Sequence, residues 1–250
     1  MRPLHAASVL GLALLLACAH GPTPKEHDAA VIHNDLGAEA VRAGKMQDAL
    51  REYDEALKLD DRLAEAHLGK GFVLEFSFGK LPEAEAEYRQ AIELKPSLAD
   101  AHNNLGQLLA KTGRLDQALA EFDAAVAIMQ NREPWVARCN RGQVLWRLGR
   151  KAEGQAEMRT CLNFEPRYCQ GWRELGRLQL SDGMVKEAVA SQEQYVRACD
   201  KAPDAHLQLA LALLKAGQAA RAREAFARCA ELGTGTAIGD ECKRSGEMLQ

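Results

Sequence analysis

The stretch Ala99–Pro134 reads ADAHNNLGQLLAKTGRLDQALAEFDAAVAIMQNREP. Ala101, Leu105, Leu108 and Leu109 recur at helical spacing, and so do Leu115, Ala118, Leu119 and Phe122. Each set makes one apolar face of an amphipathic helix. Gly113 stands between the two runs and suits the left-handed turn that ends a helix. The stretch therefore predicts two antiparallel helices. Gly106 and Ala118 are small enough to let their axes approach closely.

The same pattern recurs outward in both directions. The turn glycines are Gly44, Gly79, Gly113, Gly149, Gly183 and Gly217, at spacings of 35, 34, 36, 34 and 34 residues. Seven residues before most of them stands a small residue: Gly37, Gly106, Gly142, Gly176 or Ala210. In the second unit Gly71 is eight before, so one extra residue falls near Phe76-Ser77-Phe78. Five residues after the turns come Ala49, Ala84, Ala118, Gly154, Ala188 and Ala222. Four further on come Tyr53, Tyr88, Phe122, Met158, Gln192 and Phe226. One such hairpin cannot bury its apolar face alone, whereas a stack of them can.

This period and triad resemble the tetratricopeptide repeat. Six units are read, at 30–63, 64–98, 99–134, 135–168, 169–202 and 203–236, followed by a capping helix at 237–250 with Ile238, Cys242, Ser245 and Leu249 on its inner face. The expected fold class is all-α, an α-solenoid that the resemblance implies coils as a right-handed superhelix. Aromatics are only 5% of the chain, which also disfavours a β-sandwich or barrel.

The first residues belong to a different kind of segment. Arg2 is followed by an apolar run, Ala6–Ala17, too short to span a bilayer as a helix. It ends Leu15-Leu16-Ala17-Cys18, which resembles a bacterial lipobox. The expectation is a cleaved signal peptide at 1–17, lipidation at Cys18, and a short tether at 18–29 containing Gly21, Pro22 and Pro24. Ala19 rather than Asp after the cysteine is compatible, by resemblance to other lipoproteins, with sorting to the outer membrane. With 35 acidic and 32 basic residues the net charge is −3, so no electrostatic footprint for nucleic acid is present.

Six further cysteines, Cys139, Cys161, Cys169, Cys199, Cys229 and Cys242, all lie in the C-terminal half. An exported chain meets an oxidising compartment, and six thiols admit fifteen pairings. In the helical hairpins of the repeat, the start of the first helix lies beside the end of the second. That geometry sets Cys139 near Cys161, Cys169 near Cys199, and Cys229 near Cys242 on the cap. The alternative is buried free thiols, because a small residue suits the places of Cys161 and Cys229. No pair has zinc-site spacing.

His33, His67, His102 and His206 recur at one repeat position. Equivalent positions on neighbouring helices are roughly 8–10 Å apart, whereas a shared metal needs ligand nitrogens at about 2.0–2.1 Å. They are read as packing residues, with no metal and no cofactor. Trp135 and Trp172 fall at ordinary packing positions. No phosphate loop, nucleophile elbow or zinc-protease motif occurs. The chain is therefore read as non-enzymatic, with no small-molecule substrate.

The resemblance implies that the first helix of each unit lines a concave groove. The groove residues are then Val31, Asn34, Val41 and Arg42 in unit one, and Leu68, Phe72 and Phe76 in unit two. Asn103, Gln107 and Lys111 follow in unit three, then Gln143 and Trp146 in unit four. Phe72 and Phe76 stand out as large apolar residues that the pattern does not require there. They either anchor a partner or turn into the core through the extra residue of unit two. The clamp by which some relatives hold a terminal carboxylate is missing, since its places hold Leu68, Phe72 and Val136 around Asn104.

A lipidated, exported chain of six such units resembles the pilotin lipoproteins of type IV pilus systems, the PilF/PilW and Tgl group. The resemblance implies a protein partner, a secretin subunit of the pilus machine whose ring assembly the chain aids from the periplasmic face of the outer membrane. The alternative is a general cell-envelope scaffold that recruits peptidoglycan enzymes or outer-membrane assembly factors.

Overall fold

The structure, a computed structural model, describes residues 21–128 and 134–249. Residues 1–17, expected to be a signal peptide, and Cys18, the expected lipidation site, lie outside the described residues. Among those described there are thirteen α-helices and no strand: α1 (Pro24–Arg42), α2 (Met46–Leu59), α3 (Ala64–Phe76), α4 (Leu81–Leu94), α5 (Ala99–Lys111), α6 (Leu115–Ala127), α7 (Pro134–Arg147), α8 (Lys151–Phe164), α9 (Cys169–Ser181), α10 (Val185–Ala198), α11 (Pro203–Lys215), α12 (Ala219–Leu232) and α13 (Ala237–Glu247). The first twelve pair consecutively as six hairpins, and α13 packs on α12 and α11. No described helix is long and apolar enough to cross a membrane.

Two local rules in the sequence build every hairpin. The turn glycines adopt positive φ, 72° at Gly44 and 83° at Gly113 for example, and close each first helix with backbone bonds such as Arg114 N–H to the Leu109 carbonyl at 2.9 Å. Within the hairpins, a small residue on the first helix receives the large one on the second. A Cβ on Gly37 would come 2.7 Å from the Tyr53 ring, one on Gly71 2.8 Å from Tyr88, and one on Gly106 2.8 Å from Phe122. Side chains in such contact must shift, so glycine is required for this approach.

The chain divides into two compact units, the first ending at Leu94 and the second beginning at Lys95. The first holds hairpins one and two around Ala30, Ala49, Tyr53, Ala56, Leu63, Ala66 and Val73. The second holds hairpins three to six and the cap. One of its clusters is Cys139, Trp146, Met158, Cys161, Leu162, Leu175 and Leu178. Another joins α11 and α12 to the cap through Cys242, Ile238 and Leu249.

The first helix begins at Pro24 rather than at residue 30, inside the stretch read as tether. Thr23 and Glu26 form a reciprocal capping box around it: Thr23 N–H donates to Glu26 Oε2 at 2.8 Å, and Glu26 N–H to Thr23 Oγ1 at 3.3 Å. Pro24 occupies the first helical position, where its missing N–H costs nothing.

Three disulfides tie the later hairpins. Cys139 on α7 joins Cys161 on α8, Cys169 on α9 joins Cys199 just past α10, and Cys229 on α12 joins Cys242 on the cap, with Cα–Cα separations of 5.5, 6.0 and 5.9 Å. These pairs coincide with those the hairpin geometry suggests.

Candidate binding surface

In the first unit α1 carries Val31, Asn34, Val41 and Arg42, and α3 carries Leu68, Phe72 and Phe76; Val31, Arg42 and Phe76 are exposed and the others half-buried. Val31 is 37% exposed and Phe76 55% exposed. Phe72 is half-buried and packs with Val41 against the core of the unit. The structure thus divides the aromatic pair: Phe72 is partly core, and Phe76 stands outside it. Their rings meet at 4.7 Å with a 37° tilt. Phe76 ends α3 and is followed by Ser77 and an exposed Phe78, so the extra residue of this unit widens the turn instead of turning Phe76 inward.

In the second unit, Asn103, Gln107 and Gln143 are half-buried on α5 and α7, and Lys111 is exposed. Asn103 accepts from Asn140 Nδ2 at 3.0 Å, and Arg147 donates to the Ala110 carbonyl at 2.8 Å. This surface is polar where that of the first unit is apolar. Trp146 does not belong to it. Its side chain is buried at 4% exposure within the Cys139–Met158 cluster, and its indole N–H donates to Asp182 Oδ2 at 2.9 Å. The reason is its position. Trp146 sits near the end of α7, where α7 meets α9, so the ring is covered by the next hairpin.

Three of the four recurring histidines, His33, His67 and His102, are hairpin latches. His33 Nδ1 lies 2.7 Å from Glu52, His67 Nδ1 2.6 Å from Glu87, and His102 Nδ1 2.7 Å from Glu121, each bond running from a first helix to its second. The far nitrogen Nε2 reaches back to a turn carbonyl: Asp61 O from His67 at 2.9 Å, Pro96 O from His102 at 3.1 Å, and Asp200 O from His206 at 3.1 Å. Trp172 repeats that bond, its indole N–H donating to Pro166 O at 2.9 Å.

A ring facing acceptors on both sides is best satisfied as imidazolium, which donates twice. At His67, burial pushes the pKa down, but the bonds to Glu87 and the Asp61 carbonyl outweigh it and the value stands raised. At His102, the bond to Glu121 raises the pKa against burial, with the Pro96 carbonyl adding to it. Glu87 is held below the usual carboxylate range: burial works against this, but His67 and Lys70 overcome it.

Charged residues that the sequence presents as alternating surface positions also join hairpin to hairpin. Lys70 Nζ on α3 bridges Asp54 of α2 at 3.0 Å and Glu87 of α4 at 2.9 Å. Arg141 on α7 does the same between Asp123 of α6 at 2.5 Å and Glu157 of α8 at 3.0 Å. The bridging cation stands three residues after the latch position in these two hairpins, whereas Leu36, Leu105, Leu175 and Leu209 hold that place in the others. Among the described residues no group of three or more His, Cys, Asp or Glu is placed to hold a metal ion.

Tetratricopeptide-repeat family models match residues 74–113, 99–132 and 137–168. The chain carries tetratricopeptide repeats. Its fold of helical hairpins is similar to the solved structure of PilW, a widely conserved type IV pilus biogenesis factor, at 23% identity and TM-score 0.77, over 85% of this chain and 97% of that one. PilF of Pseudomonas aeruginosa is similar at 18% identity and TM-score 0.72, over 88% of this chain and 99% of that one. The Cut9–Hcn1 hetero-tetramer of the APC/C gives the same TM-score at 16% identity, with 43% of that chain covered. These likenesses establish the fold. No curated protein sequence matched the chain.

Proposed function

We propose that the chain is a pilotin: lipidated at Cys18, held at the periplasmic face of the outer membrane, and shielding an amphipathic segment of a type IV pilus secretin subunit until the ring assembles. The observation that carries this reading is Phe76, 55% exposed and stacked on Phe72 at the end of α3. A phenylalanine with half its surface in water forgoes about 1 kcal/mol of burial, and an exposed aromatic beside a half-buried one suits a partner's apolar anchor. The end-to-end match to PilW supports it further, because the APC/C likeness shows that the repeats alone name no client. The role is a binding one, and the acyl anchor supplies the membrane attachment.

Deletion should abolish the heat-stable multimers of the secretin, and the chain should co-purify with secretin monomers from detergent-solubilised envelopes. Phe76→Ser should leave the melting temperature within about 2 °C of wild type, as a surface change does, and cut secretin capture about tenfold or more. Normal multimers in the deletion strain would reject the pilotin reading. Capture of an envelope enzyme through Phe76 in their place would favour the general scaffold.

A further inference from the structure

The crevices between successive second helices are not alike. In the first unit the crevice over α3 is filled by Asp54, His67, Lys70 and Glu87 in mutual ion pairs. In the second unit the crevice over α7 is filled the same way by Asp123, Arg138, Arg141 and Glu157. The next crevice, over α9 between α8 and α10, has Arg159, Trp172, Leu175 and Ser191 at the same four repeat positions. Both bridging carboxylates and the bridging cation are gone, and the acid of α2 and α6 has become an arginine.

A cavity of about 330 Å³ opens there, at the lower end of the ~300–1,000 Å³ typical of small-ligand sites. Its floor is Trp172 and the buried Leu175. The Trp172 N–H is committed to the Pro166 carbonyl, so its apolar ring is what it offers the cavity. Ser191 likewise donates inward, to Gln179 Oε1 at 2.7 Å. Apart from the small Ala190, the rest of the lining is polar and planar: Arg159, Asn163, Glu187 and Gln194. Arg159 has no ion-pair partner among the described residues, unlike Asp54 and Asp123 at its position.

We propose that this cavity is a saccharide site that takes a pyranose ring bearing a carboxylate. The C–H face of a pyranose packs on an indole ring, and its vicinal hydroxyls match the paired donors and acceptors of amide and carboxylate groups. The guanidinium of Arg159 takes the carboxylate as a two-pronged pair. Glu187 in the lining repels a phosphate dianion more than the single charge of a carboxylate, which Arg159 offsets. The site is separate from the Phe76 surface and does not depend on its client.

The test uses the purified chain, ¹⁵N-labelled, titrated with methyl glucuronide, methyl glucoside and acetyl-glutamate. The Trp172 indole N–H resonance, assigned by its loss in Trp172→Phe, should shift with both sugars and saturate in the millimolar range, with glucuronide bound about tenfold tighter. Trp135 and Trp146 should not respond. Arg159→Glu, an exposed change that should keep the wild-type melt, should remove the preference for the acidic sugar. Trp172→Ala should lose both sugars. The proposal falls if neither sugar moves Trp172, if acetyl-glutamate moves it and the sugars do not, or if Arg159→Glu binds glucuronide as wild type does.

Discussion

His33, His67 and His102 close the first three hairpins by reaching a glutamate on the second helix, with Nδ1–Oε2 distances of 2.6–2.7 Å. The last three carry disulfides instead, two within a hairpin and one from hairpin six to the cap. Hairpin four has both, since Arg138 Nη1 also lies 3.3 Å from Glu157 there. In hairpins five and six the places of the glutamate hold Ser191 and Ala225, so no charge is available to latch. The same kind of hairpin is thus fastened by histidine–carboxylate bonds in the first three repeats and by disulfides in the last three. A latch of charges responds to pH and salt, whereas a covalent bond is not screened by either.

Reduction should give the largest effect. The bonds close segments of 22, 30 and 13 residues, and loop closure of that length stabilises by about 3 kcal/mol per bond. In dithiothreitol, amide exchange in α7–α12 should accelerate about a hundredfold or more, and with Cys169→Ser and Cys199→Ser together the acceleration should centre on α9 and α10, while α1–α4 keep their protection in both. Equal acceleration throughout would show that the disulfides are not local fasteners. Lys70→Met should do the converse. Removing the cation between Asp54 and Glu87 should cost about 1–2 kcal/mol, discounted because Asp54 is half in water, and should loosen α2–α4 whether or not reductant is present.

The pH dependence follows from the raised histidines. Their ordinary value is 6.5. The stability that protonation lends through His67 and His102 is complete below that value, and it is lost as pH rises through the higher folded values. Glu87, held below 4.5, contributes stability above that value that disappears as pH falls through its lower folded value. Hairpins two and three should therefore be firmest between these limits and soften toward alkaline pH, read as chemical-shift titration of each imidazole together with urea midpoints at about pH 6 and pH 8.5. The disulfide-tied hairpins five and six should keep their midpoints across that interval. A histidine that titrates below 6.5 would remove the latch.

The hairpins were legible because their rule is local: a small residue, a turn glycine and a small residue at fixed spacing, with Tyr53, Tyr88 or Phe122 completing the contact. The cysteine pairs were legible for the same reason, once the helices were placed. The start of α1 was written in Thr23-Pro24-Lys25-Glu26, a capping box with proline at its first helical position, but the glycine and prolines around it suggested a tether. Trp146 shows a different limit. Its repeat position faces outward until the following hairpin supplies Asp182, 36 residues away, and no single-helix pattern reports that cover. The ion-pair bridges were hidden likewise. Lys70 and Arg141 look like ordinary solvated charges in a window of one helix and acquire their role only from carboxylates on two others. The empty crevice at Trp172 is visible in the sequence only as a departure from those bridges.

The smallest effect separates the two bonds of one ring. His102 donates toward Glu121 through Nδ1 and toward the Pro96 carbonyl through Nε2, at 2.7 and 3.1 Å. His206 keeps only the second, to Asp200 at 3.1 Å, and Trp172 keeps its counterpart to Pro166 with no charge at all. If the backbone bond is the common element and the carboxylate bond the additional one, His102→Trp should retain the turn contact and lose the latch. The expected cost is about 0.5–1 kcal/mol at pH 6, the worth of one net hydrogen bond with a partly exposed partner, shrinking at pH 8.5 where the wild-type latch has weakened. Urea midpoints of the two proteins at both pH values measure it. A cost that stays constant with pH would place the stabilising role of His102 in packing against the turn instead of in its charge.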